Sequence, residues 1–388
     1  MPENTKQDTA KSGLFIRQIQ KNIESKLFKG KAIIIYGPRQ IGKTTLLKAI
    51  MEKYQDIALY LNCDEPDIRK NFEKQSSTKM KSVLWDKKLI IFDEVQRIRN
   101  AGITLKLLVD NYPDIQIIAT GSSALDLSEE ISEPMTGRVY EYTLYPLSIS
   151  ELMQRYNPIE FNRMLPSFLR YGTYPNILNT SELEAPEKIN NLANKYLYQD
   201  ILEFEHLKKH ELIIKLLEVL ALRIGQEISY DELAATLEVN KNTIIRYVNL
   251  LERVFVIKVI TPFARSYDKE VTKMRKIYFY DLGIRNSLIR NFNDLDLRMD
   301  NEALWENFCV MERIKLNSYN AIEPNYHYWR TYDRKEISFI EDLNGKLNGM
   351  QFIWKDAKYK APKEFLDTYK EGSVMEINKD NYLSELVK

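Results

Sequence analysis

The chain has few of the residues that define several common classes of protein. Cysteine occurs only twice, as Cys63 and Cys309, which excludes a disulfide framework and a cysteine-rich metal site, and we expect two buried free thiols. Apolar runs stay shorter than a membrane span, and the polar N-terminus has no apolar stretch of signal-peptide length. We therefore expect a cytoplasmic protein without membrane contact.

The chain also has almost no excess of charge. Lys and Arg together number 56 and Asp and Glu 55, a net charge of +1. The field of the whole chain therefore does not attract nucleic acid, and any DNA binding would need a local basic patch. The length of 388 residues exceeds that of one hydrophobic core and predicts two to four domains.

The first third of the chain alternates short apolar runs with helical stretches. This alternation predicts an α/β domain with a doubly wound parallel sheet covered by helices. The candidate buried strands are 32–36, 57–61, 89–92 and 115–119. Before them, the apolar spacing of residues 14–27 predicts a helix.

A glycine-rich segment between the first strand and a helix predicts a phosphate-binding loop. It fits the pattern G-x-x-x-x-G-K-[ST], in which glycines let the backbone curl so that N–H groups and the positive helix end surround phosphate oxygens. We expect Lys43 to reach the β- and γ-phosphates of ATP and the Thr44 hydroxyl to hold Mg²⁺. The predicted nucleotide-binding residues are Gly37, Pro38, Arg39, Gln40, Ile41, Gly42, Lys43, Thr44 and Thr45.

Two carboxylates follow the apolar strand at 89–92. Asp93 can accept a hydrogen bond from Mg²⁺-bound water, and Glu94 can act as the general base for the attacking water. The alternative is that Asp93 caps the next helix. Because Lys43 and Thr44 are present, we favour hydrolysis.

Further candidates for the nucleotide site lie after the fourth strand. Either Thr120 or Ser122 could sense the γ-phosphate, or the hydroxyl-rich turn could simply cap a helix. Arg138 could reach a phosphate in its own subunit or in a neighbour, or it could be an ordinary surface arginine.

Several of these segments together resemble one family. The segments GPRQIGKTT, LIIFDEVQ, ATGSSAL, TGRVYEYTLYPLSISEL and YGTYP are similar to those of bacterial and archaeal AAA-type ATPases that join an AAA+ core to a C-terminal domain of unknown function. The resemblance covers about residues 20–360. It implies an AAA+ or related signalling-type core, a winged helix and a restriction-endonuclease-like C-terminal fold, but it does not fix a biological role.

A helix-turn-helix pattern occupies the middle of the chain. Ser229 to Glu232 has the pattern of a capping box, and Asn240 can cap the next helix, whose apolar stripe is Ile244, Val248 and Leu251. We therefore predict a winged helix. The candidate DNA contacts on the second helix are Lys241, Asn242, Thr243 and Arg246. Two basic side chains give this helix little charge, so packing or communication is the alternative role.

The C-terminal element order is similar to the PD-(D/E)xK nuclease core, in which an Asp and a Glu hold Mg²⁺ beside a Lys. The expected acids correspond to Ser338 and Ile353, whereas Glu306 and Lys355 match. Two anionic ligands are thus missing, and we expect no cleavage unless Glu336 or Glu341 replaces one of them.

These observations predict a tail and helix followed by four domains. The boundaries are 1–25 for the tail and helix, 26–150 for the ATPase core, 151–208 for a helical lid, 209–262 for the winged helix and 263–388 for the nuclease-like domain. We expect ATP hydrolysis coupled to domain or oligomer rearrangement, with ATP and Mg²⁺ as cofactors, in a homo-oligomer that acts on DNA. The alternatives are a monomeric ATP switch without nucleic acid and an ATP-regulated nuclease.

Overall fold

The computed structural model describes residues 14–121, 134–194, 210–263, 274–331, 333, 335–355 and 359–387. The chain divides into two compact units. We call Ile16–Tyr145 with Arg253–Phe255 the nucleotide unit, and Pro146–Glu252 with the chain from Val256 onward the C-terminal unit.

The nucleotide unit is built on a five-stranded parallel sheet of order β2-β3-β4-β1-β5. Strands β1, β3 and β4 consist of buried residues throughout, because helices cover both faces of a parallel sheet. The predicted strands are confirmed with small shifts at their ends. The strands are β1 Ala32–Tyr36, β2 Ala58–Asn62, β3 Leu89–Asp93, β4 Gln116–Gly121 and β5 Val139–Thr143.

Within the described ranges, one helix precedes β1, and four helices and one short 3₁₀ turn connect strands β1 to β4. The carboxyl ends of all five strands lie at one edge of the sheet, which we call the carboxyl edge, and the other edge is the amino edge. The helices are Ile19–Lys26, Lys43–Glu52, Pro66–Phe72, Ser77–Leu84 and Ala101–Asn111, and the 3₁₀ turn is Val95–Arg97.

The C-terminal unit contains a seven-stranded mixed sheet of order β12-β11-β10-β9-β7-β8-β6. Strand β7 pairs with β8 in antiparallel fashion and with β9 in parallel, so the strands of the helix-turn-helix segment and those further along the chain form one sheet. The strands are β6 Glu227–Ser229, β7 Ile257–Pro262, β8 Met274–Phe279, β9 Asn325–Arg330, β10 Glu336–Leu343, β11 Lys346–Phe352 and β12 Ser373–Ile377.

Helices pack around this sheet, and the longest within the described ranges, Asn301–Tyr319, is buried along most of its length. The others are Ile149–Leu152, Pro158–Tyr171, Pro175–Leu178, His210–Leu222, Tyr230–Thr236, Lys241–Arg253, Leu282–Leu288, Lys363–Thr368 and Tyr382–Leu386. Residues 185–194 are also helical, and Leu295–Leu297 form a 3₁₀ turn.

Two local predictions were wrong. The first helix begins at Ile19, not at residue 14, because Arg17 directs its side chain to the carbonyls of Ile41 and Tyr145. The sequence also predicts several helices over residues 150–220 interrupted at Pro166, Pro175 and Pro186, but Pro166 lies inside Pro158–Tyr171. A proline costs about 3 kcal/mol within a helix, and the buried face of this helix, which includes Phe161 and Phe168, outweighs that cost.

Both cysteines are buried free thiols, as predicted. Among the helices of the described ranges, none has the length and apolar character required to cross a bilayer.

Candidate active site

The glycine-rich loop lies between β1 and the helix that begins at Lys43. Gly37 and Gly42 have φ angles of +152° and +100°, which favour glycine. A side chain at Gly37 would also collide with the backbone, because a Cβ there would lie 2.4 Å from the carbonyl oxygen of Leu144. The two glycines therefore let the loop curl above the start of the helix, as an anion-binding loop requires.

Lys43 lies between this loop and the second half of the site. Its side chain is buried, and Nζ donates to the carbonyl oxygens of Gly37 at 2.8 Å and Pro38 at 3.0 Å. Nζ also lies 4.0 Å from Oε1 of Glu94. The ammonium group is thus held near the loop and the expected general base.

The expected magnesium acid is held by three hydroxyl groups. The hydroxyls of Thr44 and Tyr60 donate to Oδ2 of Asp93 at 2.7 and 2.6 Å, and the Thr120 hydroxyl donates to Oδ1. Asp93 is only 3% exposed. A threonine hydroxyl beside a carboxylate supplies the hard oxygen ligands that Mg²⁺ prefers, so Thr44 and Asp93 fit this ion.

The backbone leaves the extended conformation of β3 at Glu94, the residue that follows Asp93. Its φ and ψ angles of 56° and 47° are left-handed, which is uncommon for a non-glycine residue and concentrates at functional sites. Its N–H donates to the Thr120 hydroxyl at 3.1 Å, and its Oε2 accepts from Nε2 of Gln96 at 2.5 Å. Asp93 does not cap the following 3₁₀ turn, because the N-cap position of that turn is Glu94 and no side chain caps it, so the structure contradicts the capping alternative.

Two supporting residues were absent from the sequence prediction. Tyr60 lies on β2, next to β3, and burial and its hydrogen bond to Asp93 raise the pKa of its phenol. Gln96 lies in the 3₁₀ turn after Glu94. Tyr60 belongs to the sequence ALYLN, which is typical of an ordinary strand, so nothing in the pattern singled it out.

Ser122 and Arg138 are the remaining candidates predicted for the phosphate end of the nucleotide site. Ser122 lies outside the described residues. Arg138 precedes β5 at the amino edge, since Val139 pairs with Ala32 at the start of β1 while the loop follows the end of β1. Its Nε donates to Oδ1 of Asp110 at 2.6 Å. This position gives no support to a role at the phosphates of its own chain, and a role in a neighbouring subunit stays a prediction.

The helix-turn-helix segment has the predicted caps, with one difference. The Ser229 hydroxyl accepts from the N–H of Glu232 at 3.0 Å, and Asn240 Oδ1 accepts from the N–H of Asn242 at 2.7 Å. Glu232 does not complete the capping box, because its carboxylate pairs with Arg223.

The predicted DNA contacts lie on the helix Lys241–Arg253, whose stripe of Ile244, Val248 and Leu251 is buried. Lys241, Asn242 and Arg246 are exposed, and Thr243 is half-buried. Nζ of Lys241 lies 2.8 Å from Oδ2 of Asp231, which neutralises part of the charge on this face.

In the C-terminal unit, the structure brings Ser338 and Glu306 together. Oγ of Ser338 donates to Oε2 of Glu306 at 2.7 Å, and Oε1 of Glu306 accepts from the phenol of Tyr278 at 2.6 Å and from Nζ of Lys276 at 3.0 Å. Lys276 also pairs with Glu336. Although burial opposes its charge, the two carboxylates raise the pKa of Lys276. Desolvation likewise opposes the charge of the largely buried Glu306, but Lys276 and its hydrogen-bond donors outweigh it and lower the pKa of Glu306.

The remaining nuclease-like positions do not join this cluster. Ile353 follows β11 and donates its N–H to the carbonyl of Ile377, and Lys355 is exposed, 3.6 Å from Glu302. Glu341, a possible substitute ligand, pairs with Arg313 at 2.7 Å. Within the described ranges, no three acidic, histidine or cysteine side chains are grouped so that they could hold a metal ion.

Three segments of the chain match family models of protein domains. Residues 29–153 match a family model described as an AAA domain, whereas 162–295 and 301–383 match two domains of unknown function. An uncharacterized protein of Methanocaldococcus jannaschii is 32% identical over 309 residues, which cover 70% of this chain and 64% of that protein. An uncharacterized protein of Mycobacterium tuberculosis is 25% identical over 84% of this chain and 70% of its own length.

Two solved structures share weak similarity with this chain. Pif1 helicase from Candida albicans has a TM-score of 0.26 at 15% identity and covers 46% of this chain and 48% of its own. A chain in a structure of Drosophila ORC bound to GC-rich DNA and Cdc6 has a TM-score of 0.26 at 10% identity, with coverages of 74% and 94%. TM-scores this low do not establish a shared fold. The match to an AAA domain over residues 29–153 includes the loop and the strand-end acids described above, so this part of the chain is similar to AAA-type P-loop ATPase domains.

Proposed function

We propose that the chain binds Mg²⁺-ATP at the loop Gly37–Thr45 and hydrolyses it to ADP and phosphate. The observation that carries this proposal is the convergence of Lys43, Thr44, Asp93 and Glu94 at the carboxyl edge of the sheet. Ligands bind at this edge in open parallel sheets.

Each residue has a chemical role in this proposal. The loop N–H groups and Lys43 bind and orient the phosphates, and Thr44 with Asp93 would hold Mg²⁺, which neutralises phosphate charge. Glu94 takes a proton from the attacking water as general base. Gln96 and Thr120 hold Glu94 by its side chain and its N–H.

The test is a comparison of two variants by calorimetry and by phosphate release. Lys43→Ala should abolish ATP binding. Glu94→Gln should keep binding but slow turnover by about 10²- to 10⁴-fold, the usual contribution of a general base. Normal turnover in Glu94→Gln would remove the assignment of the base, and absence of nucleotide binding by the folded wild-type chain would overturn the function.

We further propose that nucleotide state changes the arrangement of the winged helix and the C-terminal unit in a cytoplasmic homo-oligomer acting on DNA. The element order of residues 227–279 supports a winged helix, and its exposed Lys241, Asn242 and Arg246 support DNA contact. Sedimentation with ADP and with a non-hydrolysable ATP analogue separates this proposal from a monomeric switch, because only the first expects nucleotide-dependent assembly.

Nuclease activity is not part of the proposal. Glu306, which accepts from Ser338, and Glu336 both pair with the buried ammonium of Lys276, which offsets part of their charge. Incubation of plasmid DNA with the protein and Mn²⁺ should therefore leave the DNA intact.

A further inference from the structure

A basic and aromatic surface lies on the nucleotide unit, at the amino edge of its sheet. It consists of Lys26, Phe28, Lys29, Lys31 and Tyr140, and we call it the amino-edge surface. The first four lie where the helix Ile19–Lys26 leads into β1, and Tyr140 lies on the adjacent β5. Strand β1 is five residues long, so this surface and the phosphate-binding loop are separated by roughly 15 Å of strand.

Two cations of this surface share one aromatic ring. Nζ of Lys26 and Nζ of Lys31 lie 5.3 and 5.2 Å from the centroid of the Tyr140 ring. The acidic residues closest along the chain are engaged with other groups, since Glu24 pairs with Lys53 and Glu141 accepts from the phenol of Tyr36. Two ammonium groups held at one ring raise the positive potential of this surface, which attracts phosphate.

A buried side chain fixes the loop that carries this surface. Gln116 is 2% exposed; its Oε1 accepts from the N–H of Phe28 at 2.6 Å, and its Nε2 donates to the carbonyl of Lys31 at 3.0 Å. Phe28 has a φ of +58°, a strained angle for an aromatic residue, yet its side chain is 45% exposed. The centroid of the Phe28 ring lies 6.1 Å from that of the Tyr54 ring, and the fold leaves part of this apolar side chain exposed beside the lysines.

We propose that the amino-edge surface binds single-stranded nucleic acid. Ammonium groups of Lys26, Lys29 and Lys31 would contact successive phosphates, and the exposed ring of Phe28 would stack on a base. A single strand fits better than a duplex because only unpaired bases offer their faces for stacking. The surface shares no residue with the ATP site or with the helix of Lys241. Nucleic-acid binding at this surface can therefore be tested independently of the proposed hydrolysis.

The experiment measures binding of the full chain to a fluorescein-labelled oligo(dT) 20-mer by anisotropy, between 50 and 200 mM NaCl. Lys26→Gln combined with Lys31→Gln should weaken binding at least tenfold at the lowest salt. It should also reduce the slope of log affinity against log salt by roughly 1.4, or about 0.7 for each phosphate that the protein no longer neutralises. Phe28→Gly, which suits the positive φ, should weaken binding about 5- to 100-fold and leave the slope unchanged.

The matched control is Lys70→Gln combined with Lys79→Gln, which removes two exposed lysines from other helices of the same unit. Lys26→Arg with Lys31→Arg should retain the wild-type slope, which separates loss of charge from misfolding. Equal affinity and slope in wild type and the Lys26/Lys31 glutamine variant would overturn the proposal. The proposal would also be overturned if the Lys70/Lys79 glutamine control weakened oligonucleotide binding as much as the Lys26/Lys31 glutamine variant. Binding of the wild type to phosphatidylserine vesicles but not to the oligonucleotide would overturn it as well.

Discussion

The hydroxyl of Thr120 joins the two acids of the candidate active site, because it donates to Oδ1 of Asp93 and accepts from the N–H of Glu94. Thr120 is fully buried on β4, the strand next to β3. One side chain thereby fixes the orientation of the carboxylate that would hold Mg²⁺ and the backbone position of the general base. Of the two hydroxyl residues considered at this point in the sequence, Thr120 is the one whose contacts the structure describes.

Thr120→Val should lower ATP turnover by about 10- to 100-fold, since a hydrogen bond to a charged group contributes about 1.5–3 kcal/mol. The Mg²⁺ concentration for half-maximal turnover should rise, because Asp93 loses the donor that orients it. Thr120→Ser keeps the hydroxyl and should stay close to wild type in both measurements. An unchanged Mg²⁺ dependence in Thr120→Val would limit Thr120 to a packing role.

Asp300 should make the C-terminal unit sensitive to acid. Burial alone would raise the pKa of Asp300, but hydrogen bonds and charge from Arg298 and Arg285 outweigh it and lower the pKa from 3.8 to about 2. A depressed folded-state pKa stabilises the protein above pH 4, and this contribution of about 2 kcal/mol is lost as the pH falls from about 4 to about 2.

Urea unfolding followed by tryptophan fluorescence measures this effect, since Trp305, Trp329 and Trp354 all lie in the C-terminal unit. Asp300→Asn should be less stable than wild type at pH 6, and the difference should shrink towards pH 3. A difference that stays constant with pH would contradict the role of this carboxylate.

The parts of the fold that depend on local pattern were predictable from the sequence. Strands β1, β3 and β4 are continuous apolar runs, and Gly37 and Gly42 mark a loop whose backbone angles favour glycine. The carboxylates follow from the same logic, because a strand buried on both faces can carry charge only where it ends.

The residues that sequence pattern missed act through contacts between distant segments. Tyr60 reaches Asp93 from a neighbouring strand, and Lys276 on β8 meets Glu306 on a helix 30 residues later. Each looks locally like a member of its strand, and only the sheet order reveals its partner. Pro166 shows the opposite case, in which a strong local signal is overridden by burial of the helix around it.

Arg138 should act in a neighbouring subunit if the chain assembles as proposed. Arg138→Ala should then lower turnover by about 10³-fold or more, the usual effect of losing an arginine that contacts transferring phosphate. Mixing Arg138→Ala with Glu94→Gln should restore activity, because a mixed interface combines an intact base with an intact arginine. Normal turnover of Arg138→Ala, or a mixture as inactive as its components, would contradict action between subunits.

Lys276→Met should destabilise the C-terminal unit by about 3–5 kcal/mol, because removal of a buried ammonium leaves Glu306 as an uncompensated buried charge. Adding Glu306→Gln should recover part of this loss, since the double variant no longer buries an unpaired carboxylate, and a double-mutant cycle in urea measures the coupling. Lys241→Met, which removes an exposed lysine paired with Asp231 in the same unit, should change stability by less than about 1 kcal/mol. Additive effects of the Lys276 and Glu306 substitutions would mean that the two charges do not stabilise each other, and the ammonium would then not be what compensates the charge of Glu306.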